Sequence, residues 1–440
     1  MATEITTPTD ASPSLSLSRR AFLASATVGI TGGLAGCTDD AGSSGRGGIS
    51  SSKRAAGGVG AGFAYQTPAI TRKQATHIAR TPDQFDAALD AATPDNLVIV
   101  WIPADAAIDY TGRSRRVSNA VIASSRSTSH AGGLLYSNDM GGTSSAYRGG
   151  EVDGVLKLGE NSRMTGVRYR GPTSATWNHP LYPGYIPFGS GNAARREEYR
   201  SQRHSRGLSI TAGSVRVDNC EIFGWSTQGI SVNCPRSYGR EREQSYPGIQ
   251  NCSIHDCGLS GYGYGVEVNV GHPIIQRCFF NGCRHMIAGE GYPDCSYSVE
   301  GSFFGPAGSL FPLDMHNLAE NIGGTTNPDD YRYRYRSGGL IRVLNCTVAF
   351  SHVINIAASS SLSAGGNPFA GNQTSAIGIG GLPAQGVVVQ GCRFVHDGPG
   401  SAFTVGLLPR HAETDQYGLA RWETKNNQFG LRADFPVGQP

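Results

Sequence analysis

Lysine is almost missing from this sequence. Of the 37 Lys and Arg residues only Lys53, Lys73, Lys157 and Lys425 are lysines, which removes lysine as an easy catalytic base. Charge of either sign is sparse, at 16% of 440 residues with a formal net charge of +3. Disordered chains are usually richer in charge, nucleic-acid binding wants a larger positive excess, and nothing in the balance points to a highly saline setting. Long apolar runs are also absent after residue 36, so no later segment could span a bilayer. Glycine, in contrast, is abundant: 61 residues, with no strict period, which excludes collagen and opposes a long helical protein. Length alone suggests about three domains, but all-β folds often run this long as one.

The N-terminus reads as an address. Ser18-Arg19-Arg20-Ala21-Phe22-Leu23 precedes a soft apolar run from Ala24 to Gly36. The paired arginines resemble a twin-arginine export signal, about as long as a signal-peptide core. The run ends Leu34-Ala35-Gly36-Cys37, similar to a lipoprotein cleavage box with Cys37 as the acylated residue. A simple membrane anchor, or cleavage without lipid, is the plainer alternative. Residues 1–36 are therefore expected to be a signal peptide and 37–75 a flexible Gly/Ser-rich tether. Export by this route folds the chain in the cytoplasm first, so the nine cysteines beyond Cys37 would be buried while reduced.

From 76 to 440 one short pattern recurs. It reads Asn219-Cys220-Glu221-Ile222, Asn251-Cys252-Ser253-Ile254, Arg277-Cys278-Phe279-Phe280, Gly301-Ser302-Phe303-Phe304, Asn345-Cys346-Thr347-Val348, Gly391-Cys392-Arg393-Phe394 and Asn426-Asn427-Gln428-Phe429. Taken at the cysteine position, the intervals are 32, 26, 24, 44, 46 and 35. Periods in the twenties built of short alternating strands suggest a β-solenoid, with inserted loops where intervals lengthen. Each coil holds a later strand, aligned as Gly229–Val232, Gly265–Val268, Met286–Gly289, Pro312–Met315, Val353–Ile356 and Ala402–Val405. Upstream, Thr81 to Phe85 starts a short helix with Phe85, Ala88 and Leu89 on one face, suited to plug the first coil.

The cap helix, the strand ending Ile102-Pro103, the run Leu158-Gly159-Glu160 to Gly171-Pro172 and the repeated Asn-Cys-x-Ile coils resemble the pectate-lyase-like superfamily. That resemblance implies an all-β, single-stranded right-handed parallel β-helix with an N-terminal capping helix. It implies a polysaccharide partner, and a lyase or glycoside hydrolase activity. It implies no fixed cofactor but raises calcium, since the superfamily's lyases often hold that ion with clustered carboxylates; Glu267, Glu290, Asp294 and Asp314 are the carboxylates here, without a calcium-loop motif. A non-catalytic glycan-binding or adhesin-like surface β-helix is the alternative. A monomer is expected, with no nucleic-acid partner and membrane attachment only through lipid on Cys37.

Cys252 and Cys257 are five apart, as are Cys278 and Cys283, and the pairs are offset by one coil. They read as an interior ladder of thiols, a Cys257–Cys283 disulfide, or a zinc site of unfamiliar spacing.

Chemistry concentrates between Tyr262 and Asn321. If Val266, Val268, Leu313 and Met315 face the core, then Glu267, Asp314 and His316 face outward. The alignment stacks Glu267, Ala288 and Asp314 on one face. Two coil steps separate the carboxylates by about 9.6 Å, near the upper end for an inverting pair. For β-elimination, His285, His316 or Arg284 is the candidate base and Tyr264 or Tyr292 the acid; His is preferred, because Arg would need its proton removed against a pKa above about 12. Asp314 and His316 are read as the acid/base pair, with His285 and Glu267 in support. Tyr264, Arg284, Tyr292, Arg332 and Arg334 are read as substrate-binding.

Overall fold

The first residue of the Asn-Cys-x-Ile pattern is a corner. Asn219, Asn251, Asn345 and Asn426 all have positive φ, between 50° and 57°, and Gly301 and Gly391 take the same place at 55° and 63°. Left-handed backbone favours Gly and Asn, so the sequence marks each bend. Arg277 is the exception at φ 50°; its Nε donates to Asn251 Oδ1 one coil away.

The computed structural model describes residues 69–127, 130–139, 154–172, 204–234, 246–258, 262–308, 310–316, 337–350, 375–396, 401–405 and 422–431. All lie within one unit, Ile49–Pro440. Before each of the corners named above the chain runs through a first sheet, and after it through a second. A third sheet completes the turn. The sheets hold eleven, ten and nine strands, and neighbours in each are one coil apart. Pairing is parallel throughout the ladders, for example Ile222 with Ile254 and Ile254 with Phe280. The architecture is a right-handed parallel β-helix, the hand that parallel crossovers adopt. Helix α1 (Pro82–Asp90) opens it; Thr81 caps it by accepting from the Gln84 N–H, and Phe85, Ala88 and Leu89 are buried. These side chains join the same core as the coils, so the expected plug is present. No helix among the described residues is long and apolar enough to cross a membrane.

In six of the seven copies the fourth residue enters the core; Phe429, in the last, is exposed. Ile222, Ile254, Phe280, Phe304, Val348 and Phe394 stack in register, and the Phe280 and Phe304 rings lie 5.0 Å apart and nearly parallel. Burying each such side chain stabilises the coil by roughly 1.5–3 kcal/mol. The second residue also points inward. Cys220, Cys252, Cys278, Cys346 and Cys392 are buried free thiols, as are Cys234, Cys257, Cys283 and Cys295. Their Sγ atoms donate to strand carbonyls, as Cys252 does to Gln250 O at 3.2 Å. The ladder reading therefore stands over the disulfide. The zinc reading fails as well: among the described residues no group of three or more candidate metal ligands contains a cysteine. Burial also pushes the Cys220 and Cys252 thiols well above their usual range, holding them protonated.

One alignment needs correction. The third-sheet strand beside Leu313–Met315 is Ser375–Ile379, with Asp314 opposite Gly378. Val353–Ile356 lies outside the described residues, as do Cys37, Arg332 and Arg334.

Candidate active site

Three neighbouring strands of the third sheet build the site: Tyr264–Val270, His285–Gly289 and Leu313–Met315. Val266, Val268, Ile287, Leu313 and Met315 are core residues. The register pairs Glu267 with Ala288 and Ala288 with Asp314 on the opposite face, as alternation requires. Tyr264 pairs with His285 at the start of these strands. Strict alternation from Ile287 would send His285 into the core. Instead Met286 and Ile287 both enter it, and a Cβ on the matching Gly265 would meet the core side chains of Ile254 and Phe280. That irregularity turns Tyr264 and His285 to the face of Asp314.

The side chains converge there. His316 Nε2 lies 3.1 Å from Asp314 Oδ2, and His285 Nε2 lies 3.4 Å from the same oxygen. The other nitrogen of each ring is also engaged. His285 Nδ1 is 2.8 Å from the Phe311 carbonyl, which can only accept, so Nδ1 carries the proton. His316 Nδ1 is 3.5 Å from Glu290 Oε1. Tyr264 stacks on His285 with ring centroids 5.7 Å apart, and Arg284 Nη1 donates to the Tyr264 hydroxyl at 3.2 Å. Tyr297 donates its hydroxyl to the Asp314 carbonyl.

Burial sets the protonation states. His285 is buried, and the Arg284 charge acts in the same direction, so its pKa falls to about 3 and the ring is neutral. Burial also opposes the His316 cation, but the carboxylates of Asp314 and Glu290 outweigh it and raise its pKa well above the usual value. Asp314 and Glu290 are lowered in turn, the facing imidazoles overcoming a burial that favours the neutral acids. Burial raises the Tyr264 phenol to about 12. The resting site is thus an imidazolium between two carboxylates, beside a neutral imidazole.

Glu267 differs from its expected role. It lies off the core but is fully buried. Its Oε2 accepts from Gln228 Nε2, and it hydrogen-bonds Glu290. Fully buried and hydrogen-bonded to Gln228 and Glu290, it does not stand as an open carboxylate opposite Asp314. Tyr292 is half-buried against the core, and burial with the nearby Glu290 charge raises its phenol. Glu290, two positions beyond Ala288, was not among the residues read as catalytic or substrate-binding. Extending the Ala288–Asp314 register by two places it opposite His316.

Calcium does not fit this site. The group of candidate metal ligands found among the described residues is His285, Asp314 and His316, whose ligand atoms lie within 4.8 Å of one another. Two imidazoles and one carboxylate are not the six to eight oxygens that calcium takes.

No protein-family model matches the chain, and no curated protein matches it. Among solved structures, the chain is similar to the alginate lyase from Paenibacillus sp. str. FPU-7, at 13% identity and a TM-score of 0.43, covering 80% of this chain and 96% of that one. It is similar to rice weevil pectin methyl esterase at 11% identity and a TM-score of 0.33, covering 83% and 91%. It is also similar to the Dettilon tailspike protein at 13% identity and a TM-score of 0.29, covering 78% and 45%.

Proposed function

We propose that this protein is an exported enzyme that cleaves an acidic polysaccharide by β-elimination at the His285, Asp314 and His316 centre. The observation that carries the reading is the convergence of a neutral imidazole, an imidazolium–carboxylate pair, a phenol and a guanidinium from successive coils. Elimination needs a base for the proton α to the uronate carboxyl, a donor for the leaving oxygen, and positive charge against the enolate-like intermediate. His316, the most exposed of the three at 17% of its side chain, is the proton donor, and Asp314 holds it cationic and oriented. His285 is the acceptor through Nε2. Half-buried Arg284 receives the uronate carboxylate. Burial, the Arg284 charge and the His316 charge all depress His285; neutralising that guanidinium removes one of these three causes, so substrate binding itself strengthens the base.

The test is incubation of the purified protein with a panel of neutral and uronate polysaccharides. The expected product carries the ultraviolet absorbance of an unsaturated uronate. Reducing ends without that absorbance would mean hydrolysis, and silence on the whole panel would favour a glycan-binding module.

Export and lipid attachment at Cys37 belong to the same proposal. The nine buried free thiols suit a chain folded under reducing conditions before export. Replacing Cys37 with Ser should move the protein from the membrane fraction to the medium or soluble fraction; unchanged membrane association would refute the lipid anchor.

A further inference from the structure

The two imidazoles of the site share an unusual arrangement. Each has its outer nitrogen on an acceptor: the Phe311 carbonyl for His285 Nδ1 and the Glu290 carboxylate for His316 Nδ1. Each aims its inner nitrogen at one oxygen, Asp314 Oδ2. Histidines that ligate metals are held this way, with the far N–H given to a carboxylate or backbone carbonyl so that the near lone pair points at the ion.

A second observation concerns His285 Nε2 itself. With the proton fixed on Nδ1 by the carbonyl, Nε2 presents a lone pair. That atom is buried with no hydrogen-bond partner, in a side chain only 1% exposed, 3.4 Å from a carboxylate oxygen. Two acceptors facing each other at that distance in a dry place repel, unless a cation lies between them.

The spacing fits one class of cation. Bonds of about 2.0–2.1 Å to nitrogen and oxygen place neighbouring ligands about 3.0–3.4 Å apart in octahedral or tetrahedral geometry. The two measured separations to Asp314 Oδ2, 3.1 Å and 3.4 Å, match it, and all three ligand atoms lie within 4.8 Å. Two nitrogens and one carboxylate suit zinc and its first-row neighbours, with positions left for water or substrate.

We propose that His285 Nε2, Asp314 Oδ2 and His316 Nε2 form a three-ligand site for a divalent transition-metal ion of the zinc class. The ion takes the place of the proton between His316 and Asp314, which leaves to solvent. Glu290, backed by Glu267, orients His316 from behind. The ion-bound and proton-bound sites are alternative states of the same three side chains: with the ion in place, His285 Nε2 and the His316 proton are not available to the elimination proposed above, so this inference goes beyond that reading and does not depend on it.

The test uses the full-length protein stripped with a chelator and titrated with Co2+, followed by its visible d–d absorption. The expected result is saturation at one ion per chain, with no thiolate-to-metal charge-transfer band, and competition by Zn2+ but not by Ca2+. His285→Ala and His316→Ala should each weaken binding at least about 100-fold, and Glu290→Gln about 10–100-fold, the range seen for outer-shell partners. His130→Ala, at an exposed position, should change nothing. If a ligand variant fails to fold, anomalous scattering from wild-type crystals soaked in Co2+ decides, and a peak among the three named atoms supports the site. Absence of saturable binding, a thiolate band, affinity unchanged in both histidine variants, or a peak elsewhere would overturn it. Because the readout is binding, a negative polysaccharide panel leaves this result standing, and the reverse also holds.

Discussion

Replacing Asp314 with Asn stops turnover on any polysaccharide that the intact protein cleaves. The substitution keeps the side chain's shape and removes its charge. Two effects then act together. His316 loses the nearer of its two counter-charges, at 3.1 Å, and keeps only Glu290 at 3.5 Å. The amide also offers an N–H to the bare Nε2 of His285 and so blocks the acceptor. Loss of a positioned acid or base costs about 10²–10⁴-fold, and here one change touches both, so kcat should fall by at least about 10³. Removing one partner of a buried charge pair also costs on the order of 3–5 kcal/mol. A melting curve must therefore accompany the kinetics. The coil should survive, because its stacked core side chains make no use of Asp314. Turnover within tenfold of the parent, in a folded Asp314→Asn protein, would place the chemistry elsewhere.

The second large effect is on stability against pH, with a maximum near pH 6.5. His285 has a folded pKa of about 3 against an ordinary 6.5. Between those values the unfolded chain takes a proton that the folded one refuses, so stability falls as pH drops. At about 1.4 kcal/mol per pH unit the loss is on the order of 5 kcal/mol. On the alkaline side the sign reverses. His255 is buried, which disfavours its cation, but Asp256 and Glu221 outweigh that and raise its pKa to about 9. His316 is raised in the same way. Their contributions are complete below pH 6.5 and are lost as pH rises through the folded values. Asp314, Glu290 and Glu221 are lowered, so they add to the acid limb only below about pH 4.5, where carboxylates protonate in the unfolded chain. Denaturant unfolding across the pH range checks this. His285→Gln should leave an acid limb that begins only below about pH 4.5. A profile flat from pH 5 to 9, or an acid limb unaltered in that variant, would contradict these assignments.

The coil was legible because its signals are local. A left-handed corner selects Asn or Gly at the residue itself, and the inward thiol and apolar residue follow at fixed offsets. The stacking of Glu267, Ala288 and Asp314 was legible for the same reason: parity and one aligned period fix it. What the sequence hid depends on what lies against each face. Glu267 reads as outward, yet Gln228 and Glu290 enclose it. His285 was named for its chemistry, but its place beside Asp314 depends on Met286 and Ile287 entering the core together, which alternation does not foretell. The strand that follows Met315 was misplaced because both Val353–Ile356 and Ser375–Ile379 alternate, and only pairing selects between them. Arg332 and Arg334 lie outside the described residues, so their substrate reading rests on the sequence alone.

The claim beneath the rest is that stacked coils hold His285 and His316 against one carboxylate, in opposite protonation states. Nitrogen-15 spectra of histidine-labelled, chelator-treated metal-free protein measure this directly, with His285→Gln and His316→Gln used to assign the signals. At pH 7 the account predicts His285 neutral with its proton on Nδ1, staying so down to about pH 3, while His316 carries protons on both nitrogens. A His285 that titrates near pH 6.5, or that carries its proton on Nε2, would contradict it.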